Sequence, residues 1–205
     1  GGSQIPKARK RIRKMHMRPA DAPAAKGAVE AILKADVLVL GPGSLYTSVV
    51  PNLLVEEIRE AILKSEAVKV YVCNVMTQPG ETDGYGALEH VKALIDHVGK
   101  QFLDYVIVND EKITAEQLKQ YYAEGAMPVT PDVEKIRKLG ITVVPASLIS
   151  KNDLVRHDPR KLARTLIMLI YRLRLFGRGV QFFDYIFMRH GLNTMDRDVS
   201  GNGKK

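Results

Sequence analysis

Four short apolar runs rich in β-branched residues, at 37–40, 68–73, 105–108 and 141–144, recur with centres 32 to 36 residues apart. Between them lie amphipathic stretches at about 52–65, 85–99, and 115–124 with 131–139, apolar at helical spacing. Strand, helix, strand, helix with near-continuous apolar strands predicts an α/β fold. The expected form is a Rossmann-like, doubly wound, mostly parallel sheet with helices on both faces and right-handed crossovers. Boundary chemistry supports the pattern. Thr114-x-x-Gln117 is a capping box, Thr130-Pro131 offers an N-cap and a first-turn proline, and Gly140 follows a last turn. Asp158-Pro159 predicts one more helix, running to about Phe176. The expected division is an α/β domain over 1–176, then an aromatic helical extension and a disordered tail over 177–205.

Parallel strands place the loops leaving their C-terminal ends along one rim, where open α/β sheets bind ligands. Here those loops begin GPGSLYTSVVPN at 41, NVMTQPGETDGYG at 74, NDEKIT at 109 and PASLISKNDLVRHDP at 145. Three of them carry more Gly, Ser, Thr and Asn than a connection requires. In the first, Gly41 and Gly43 permit tight turning and close approach, Ser44, Thr47 and Ser48 offer hydroxyls, and a helix begins near Pro51-Asn52. Backbone amides at such a start attract anions without a lysine, so a phosphate or diphosphate is the expected occupant. A plain strand-to-helix turn explains the same residues. The loop matches neither Gly-x-x-x-x-Gly-Lys-Ser/Thr nor Gly-x-Gly-x-x-Gly, which disfavours P-loop ATPase chemistry.

The second loop contributes Asn74, Thr77, Gln78, Glu81, Thr82 and Asp83. Amides, hydroxyls and carboxylates together suit a sugar, ribose or base better than bare phosphate. Two acids are too few to argue for a metal site. His90 and His97, seven apart, read as surface or packing residues, and His157-Asp158 as an acid–base pair or a helix cap. Ser44 and Ser48 lie in no Gly-x-Ser-x-Gly elbow, which argues against a hydrolase.

The net charge of +8 is unevenly spread. Residues 1–20 hold seven Lys/Arg and no acid, residues 156–205 hold eleven against four, and the stretch between carries about −6. The basic run at 7–18 is interleaved with Ile12, Met15 and Met17, the pattern of a solvated helix or strand face. Nucleic-acid binding is therefore disfavoured, and no helix-turn-helix, zinc-finger or RNP-like pattern supports it. The single cysteine, Cys73, lies in an apolar strand, which predicts an inert buried thiol and a cytoplasmic location. No apolar run approaches the roughly 18 residues of a membrane helix.

The stretches GPGSLYTSVVPNLL, VYVCNVMTQPGETDGY and LVRHDPRKLA resemble the gluconeogenesis factor family of bacterial uridine-diphosphate-sugar-binding proteins. That family is similar in fold to the 2-phospho-L-lactate transferases, whose first loop lacks Ser-Leu-Tyr-Thr-Ser. The likeness covers about residues 1–170. It implies a nucleotide-sugar ligand and a regulatory role in carbon-source use, cell shape and cell-wall synthesis, with no catalytic residues. A transferase is the alternative, and an interaction module using the basic ends is the second. The resemblance also implies that the loops at 41–48 and 77–83 face the ligand, with Asn52 and Asn74 beside them. Arg156 would reach its phosphate or sugar, and Tyr121 or Tyr122 would lie against it, with magnesium as a candidate companion. Family members open with Gly-Gly-Gly-Thr-Gly. This chain opens instead with GGSQIPKA, which resembles a point midway along such a protein, so a C-terminal portion is expected. The aromatics beyond 177 would dock on the sheet, form a homo-oligomer interface, or lie on a membrane surface, in that order.

Overall fold

The computed structural model describes residues 11–150 and 156–176. Four strands, β1 (Val37–Leu40), β2 (Val68–Val72), β3 (Tyr105–Asn109) and β4 (Thr142–Ala146), form one sheet in the order β1-β2-β3-β4. Every pairing is parallel, with Val37 beside Val68, Val70 beside Tyr105, and Tyr105 beside Thr142. The α/β expectation holds. The last strand starts one residue later than its apolar run and continues through Pro145, which pairs with Val108. Because β4 ends the sheet, the missing proline N–H costs no ladder bond on its outer side.

Both faces of the central strands are covered. Val70, Tyr71 and Val72 are all buried, as are Tyr105, Val106, Ile107 and Val108. On one face Leu40, Tyr71, Cys73, Val106 and Val108 join Leu88, Val91 and Leu94 in a single core cluster. Alternation along the strands puts Val70, Val72 and Ile107 on the opposite face, where they are buried too.

The connections depart from the expected single helices in two places. In place of one helix over 52–65, a π-helical turn (Leu45–Val49) leads into α2 (Val50–Leu54) and then α3 (Glu56–Lys64). The short α1 (Ala28–Lys34) precedes β1. The carbonyl of Ser44 accepts from both Ser48 and Val49, at 2.9 and 3.0 Å, which widens that first turn. Extended backbone at Val55 (φ −72°, ψ 114°) then separates α2 from α3. Helix α4 (Ala87–Val98) and the capping box of α5 (Ala115–Glu124), Thr114 with Gln117, follow the expected pattern. The second departure is α6 (Val133–Arg137). Its N-cap is Asp132, at φ 47°, and not Thr130 with Pro131 at the first position. The Thr130 carbonyl instead accepts from Ala87 N–H at 2.8 Å, tying this connection to the start of α4.

The N-terminal basic run is partly anchored. Ile12 and Met15 pack against the core, and Met15 N–H donates to His97 Nε2 at 3.0 Å. His90 is a packing residue, fully buried edge-on to Tyr85 at 5.6 Å between ring centres, with Nδ1 2.8 Å from the Gly86 carbonyl.

The chain divides into two compact units, 1–158 and 159–205, the division falling just before the last helix. That helix, α7 (Pro159–Phe176), runs over the expected residues, with Leu162, Thr165 and Leu169 buried and Ile167, Tyr171 and Leu175 exposed. The aromatic extension over 177–205 lies outside the described residues. No described helix is long and apolar enough to cross a membrane.

Candidate functional site

A cavity of about 700 Å³ opens at the C-terminal rim of the sheet. Pro42 and Gly43 line it from the first loop, 74–79 from the second, Tyr121, Glu124 and Ala126 from α5 and its exit, and Arg156 with His157 from the fourth. Six of the sequence-derived candidates meet here: Gly43, Asn74, Thr77, Gln78, Tyr121 and Arg156.

The others are placed differently. Gly41, Ser48 and Asn52 line a separate, largely apolar cavity of about 340 Å³ beside β1. Ser44 and Thr47 fasten the first loop to Gln78 and Glu81 of the second, and Thr82 braces the second loop internally. Ser44 Oγ lies 2.5 Å from Gln78 Oε1 and 3.0 Å from Glu81 Oε2, and Thr47 Oγ1 lies 3.4 Å from Glu81 Oε1. Gln78 N–H donates to Thr82 Oγ1 at 2.8 Å, and Gly80 N–H to Asp83 Oδ2 at 2.7 Å. Glu81 and Thr82 are buried in this network. Tyr122 is 48% exposed and lines none of these cavities, so of the two tyrosines it is Tyr121 that faces the site.

Backbone geometry sets the walls. Gly41 has φ 87°, and a Cβ there would sit 3.0 Å from the Val72 carbonyl oxygen, so the chain leaving β1 crosses close to the end of β2. Thr77 N–H donates to the Met127 carbonyl at 2.7 Å, and Met127 N–H returns a bond to Thr77 Oγ1 at 2.8 Å. Val129 N–H adds a bond to the Val75 carbonyl at 2.9 Å. These stitches bring Tyr121, Glu124 and Ala126 opposite the second loop. Glu124 and Ala126 carried no sequence signal as site residues. Their place depends on bonds about 50 residues apart in the chain.

Arg156 follows from a short antiparallel pairing of Ile149 with His157. Ser150 N–H donates to the Arg156 carbonyl at 3.0 Å, and Asp158 N–H to the Leu148 carbonyl at 2.7 Å. His157 Nε2 lies 3.1 Å from the Cys73 carbonyl. Burial lowers the His157 pKa, so the ring is neutral near pH 7, with Nε2–H as donor to Cys73. This structural bond accounts for His157 without an acid–base role. Burial pushes the Cys73 thiol up to about 12, as its apolar strand foretold. Next to it, the Asn74 Oδ1 is buried and has no hydrogen-bond partner among the described residues.

Among the described residues no group of three His, Cys, Asp or Glu could hold a metal ion. Chemically the cavity offers one guanidinium, one aromatic face, amide and hydroxyl groups, and one carboxylate at Glu124. Such a set offers hydrogen-bond donors, acceptors and a stacking face to a polar, partly planar molecule.

Residues 1–149 match the family profile described as 2-phospho-L-lactate transferase CofD. The chain is 44% identical over 171 residues to the gluconeogenesis factor of Bacillus subtilis, covering 83% of this chain and 54% of that protein. It is 47% identical over 175 residues to the putative gluconeogenesis factor of Thermoanaerobacterium thermosulfurigenes, again over 83% and 54%. The chain belongs to the gluconeogenesis factor family. A crystal structure of protein BH3568 from Bacillus halodurans superposes with a TM-score of 0.79 at 45% identity, over 82% of this chain and 54% of that one. The chain therefore spans about half the length of the family members it matches.

Proposed function

We propose that the rim cavity binds a nucleotide-sugar of the uridine-diphosphate type, and that the protein acts as a cytoplasmic regulator of carbon metabolism, cell shape and cell-wall synthesis. The observation that carries this reading is the convergence of Arg156, Tyr121, Asn74 and Thr77 on one cavity of about 700 Å³. A guanidinium matches the geometry of a diphosphate, and a tyrosine ring covers a base or sugar. The unpartnered Asn74 Oδ1 suits a ligand hydroxyl or N–H, since a buried acceptor without a donor is costly. The names of the relatives support the carbon-metabolism part. Magnesium, where it accompanies the ligand, would be held chiefly by diphosphate oxygens and water, with Glu124 as the one lining carboxylate.

Titration calorimetry of this chain with a uridine-diphosphate sugar, with and without magnesium, tests the reading. Arg156→Ala should weaken binding about tenfold or more, the loss of one charge-assisted contact. Equal affinity in the variant would remove the ligand from this cavity. The match to the transferase profile favours a second reading, transfer of a phosphorylated small molecule. Turnover of a nucleoside-diphosphate-activated lactate by a chain of the relatives' full length would establish it over the regulatory one.

A further inference from the structure

A third cavity, of about 600 Å³, lies over α4, and none of its lining residues belongs to the rim site. Arg11 and Arg13 reach it from the N-terminal segment, Tyr46 and Tyr85 from the first and second loops, and Lys92 and Asp96 from α4. The N-terminal segment is held there by Ile12 and Met15, packed against the core, and by the Met15–His97 bond, and both arginines line the cavity.

The charges around it do not cancel. Three cations face two carboxylates, and one of these, Glu89, already accepts from Gly86 N–H at 2.9 Å. Among the described residues no carboxylate pairs with Arg11, Arg13 or Lys92. The hydroxyls of Tyr46 and Tyr85 lie 2.9 Å apart. One proton of the pair bridges the two oxygens, which leaves the other to donate outward. Burial and the bond to Tyr85 raise the Tyr46 pKa, so Tyr46 keeps its proton at neutral pH.

We propose that this cavity is a second ligand site, which takes the phosphate group of a small phosphorylated molecule. Two guanidiniums and an ammonium match a phosphate dianion in charge, and a phenolic O–H adds a directional donor. Asp96 is placed to accept from a hydroxyl on the body of the ligand, and Ile12 and Ala93 supply an apolar wall. The site stands on residues that the rim cavity does not use, so it is independent of what the rim binds.

The test is calorimetric titration of the whole chain with inorganic phosphate and with ribose 5-phosphate, in an Arg156→Ala background that removes the cation of the rim. Saturable binding at millimolar ligand is expected to persist there. Arg11→Gln with Arg13→Gln, and separately Lys92→Gln, should each weaken it about tenfold or more. Both arginines are exposed, so their loss spares the core, and far-ultraviolet circular dichroism confirms the fold. Tighter binding of the ester identifies an organic phosphate as occupant, and equal binding identifies the free ion. Absence of saturable binding, or binding indifferent to both sets of substitutions, overturns the proposal.

Discussion

His157 donates its Nε2–H to the Cys73 carbonyl across 3.1 Å, and this bond fixes the segment carrying Arg156 to the end of β2. The neighbouring side chain in sequence is the cation of the rim cavity, so a bond that looks merely structural sets the position of a cavity-lining group. His157→Ala should lower stability by about 1–2 kcal/mol, the cost of a lost half-buried hydrogen bond. It should also weaken nucleotide-sugar binding, though less than Arg156→Ala does. Urea denaturation and the same calorimetric titration check both parts. An unchanged urea midpoint would mean the bond contributes nothing.

Thr77 joins the second loop to the exit of α5 through two bonds, one from its N–H and one to its hydroxyl. Thr77→Val preserves shape and the first bond but leaves Met127 N–H without its acceptor. The expected loss is about 0.5–1.5 kcal/mol, the net contribution of one part-buried hydrogen bond. Amide hydrogen exchange at Met127 should accelerate relative to the core strands.

Gly41 combines φ 87° with a Cβ position 3.0 Å from the Val72 carbonyl oxygen. Any side chain there meets backbone, which cannot rotate away. Gly41→Ala is expected to cost about 1–3 kcal/mol through the left-handed conformation alone, and more through the contact. Gly43→Ala is the comparison, since its Cβ would meet a Ser48 side-chain atom at 3.1 Å without positive φ. Thermal denaturation should rank Gly41→Ala as the more damaging of the two.

Much of the fold was legible because its signals are local. The four apolar runs, the Thr114–Gln117 box and the Asp158-Pro159 helix start each lie within a few residues of the structure they specify. The rim followed from strand direction alone. What sequence could not resolve is how the polar residues of the rim divide their bonds. Ser44, Thr47 and Glu81 are the residue types a ligand site needs, and also the types two loops need to fasten to each other, while Thr82 braces the second loop from within. Only the partner distinguishes the two uses, and here the partners are about 35 residues away for Ser44 and Thr47. Glu124 and Ala126 were invisible for the same reason, being carried to the cavity by the Thr77–Met127 stitch. The helix over 52–65 divided at Val55 because extended backbone interrupts an otherwise helical pattern, and the N-cap of α6 falls at Asp132 instead of Thr130.

Two histidines make stability depend on pH in a definite direction. His90 is fully buried, and burial lowers its pKa; burial lowers that of His157 as well. In the unfolded chain both titrate near the ordinary value of about 6.5. Below that pH the unfolded state takes up protons that the folded state declines, so stability is full above about pH 6.5 and falls on acidification. Each histidine contributes a slope of at most about 1.4 kcal/mol per pH unit while its folded form stays neutral. Urea midpoints measured at intervals between pH 7.5 and 5 should therefore fall with pH before the carboxylates titrate. His90→Gln should flatten that slope by up to half even where it lowers stability overall, because the variant has no proton to refuse at that position. An unaltered slope in His90→Gln would show that the buried ring accepts a proton in the folded state, through its Nε2, which has no partner among the described residues.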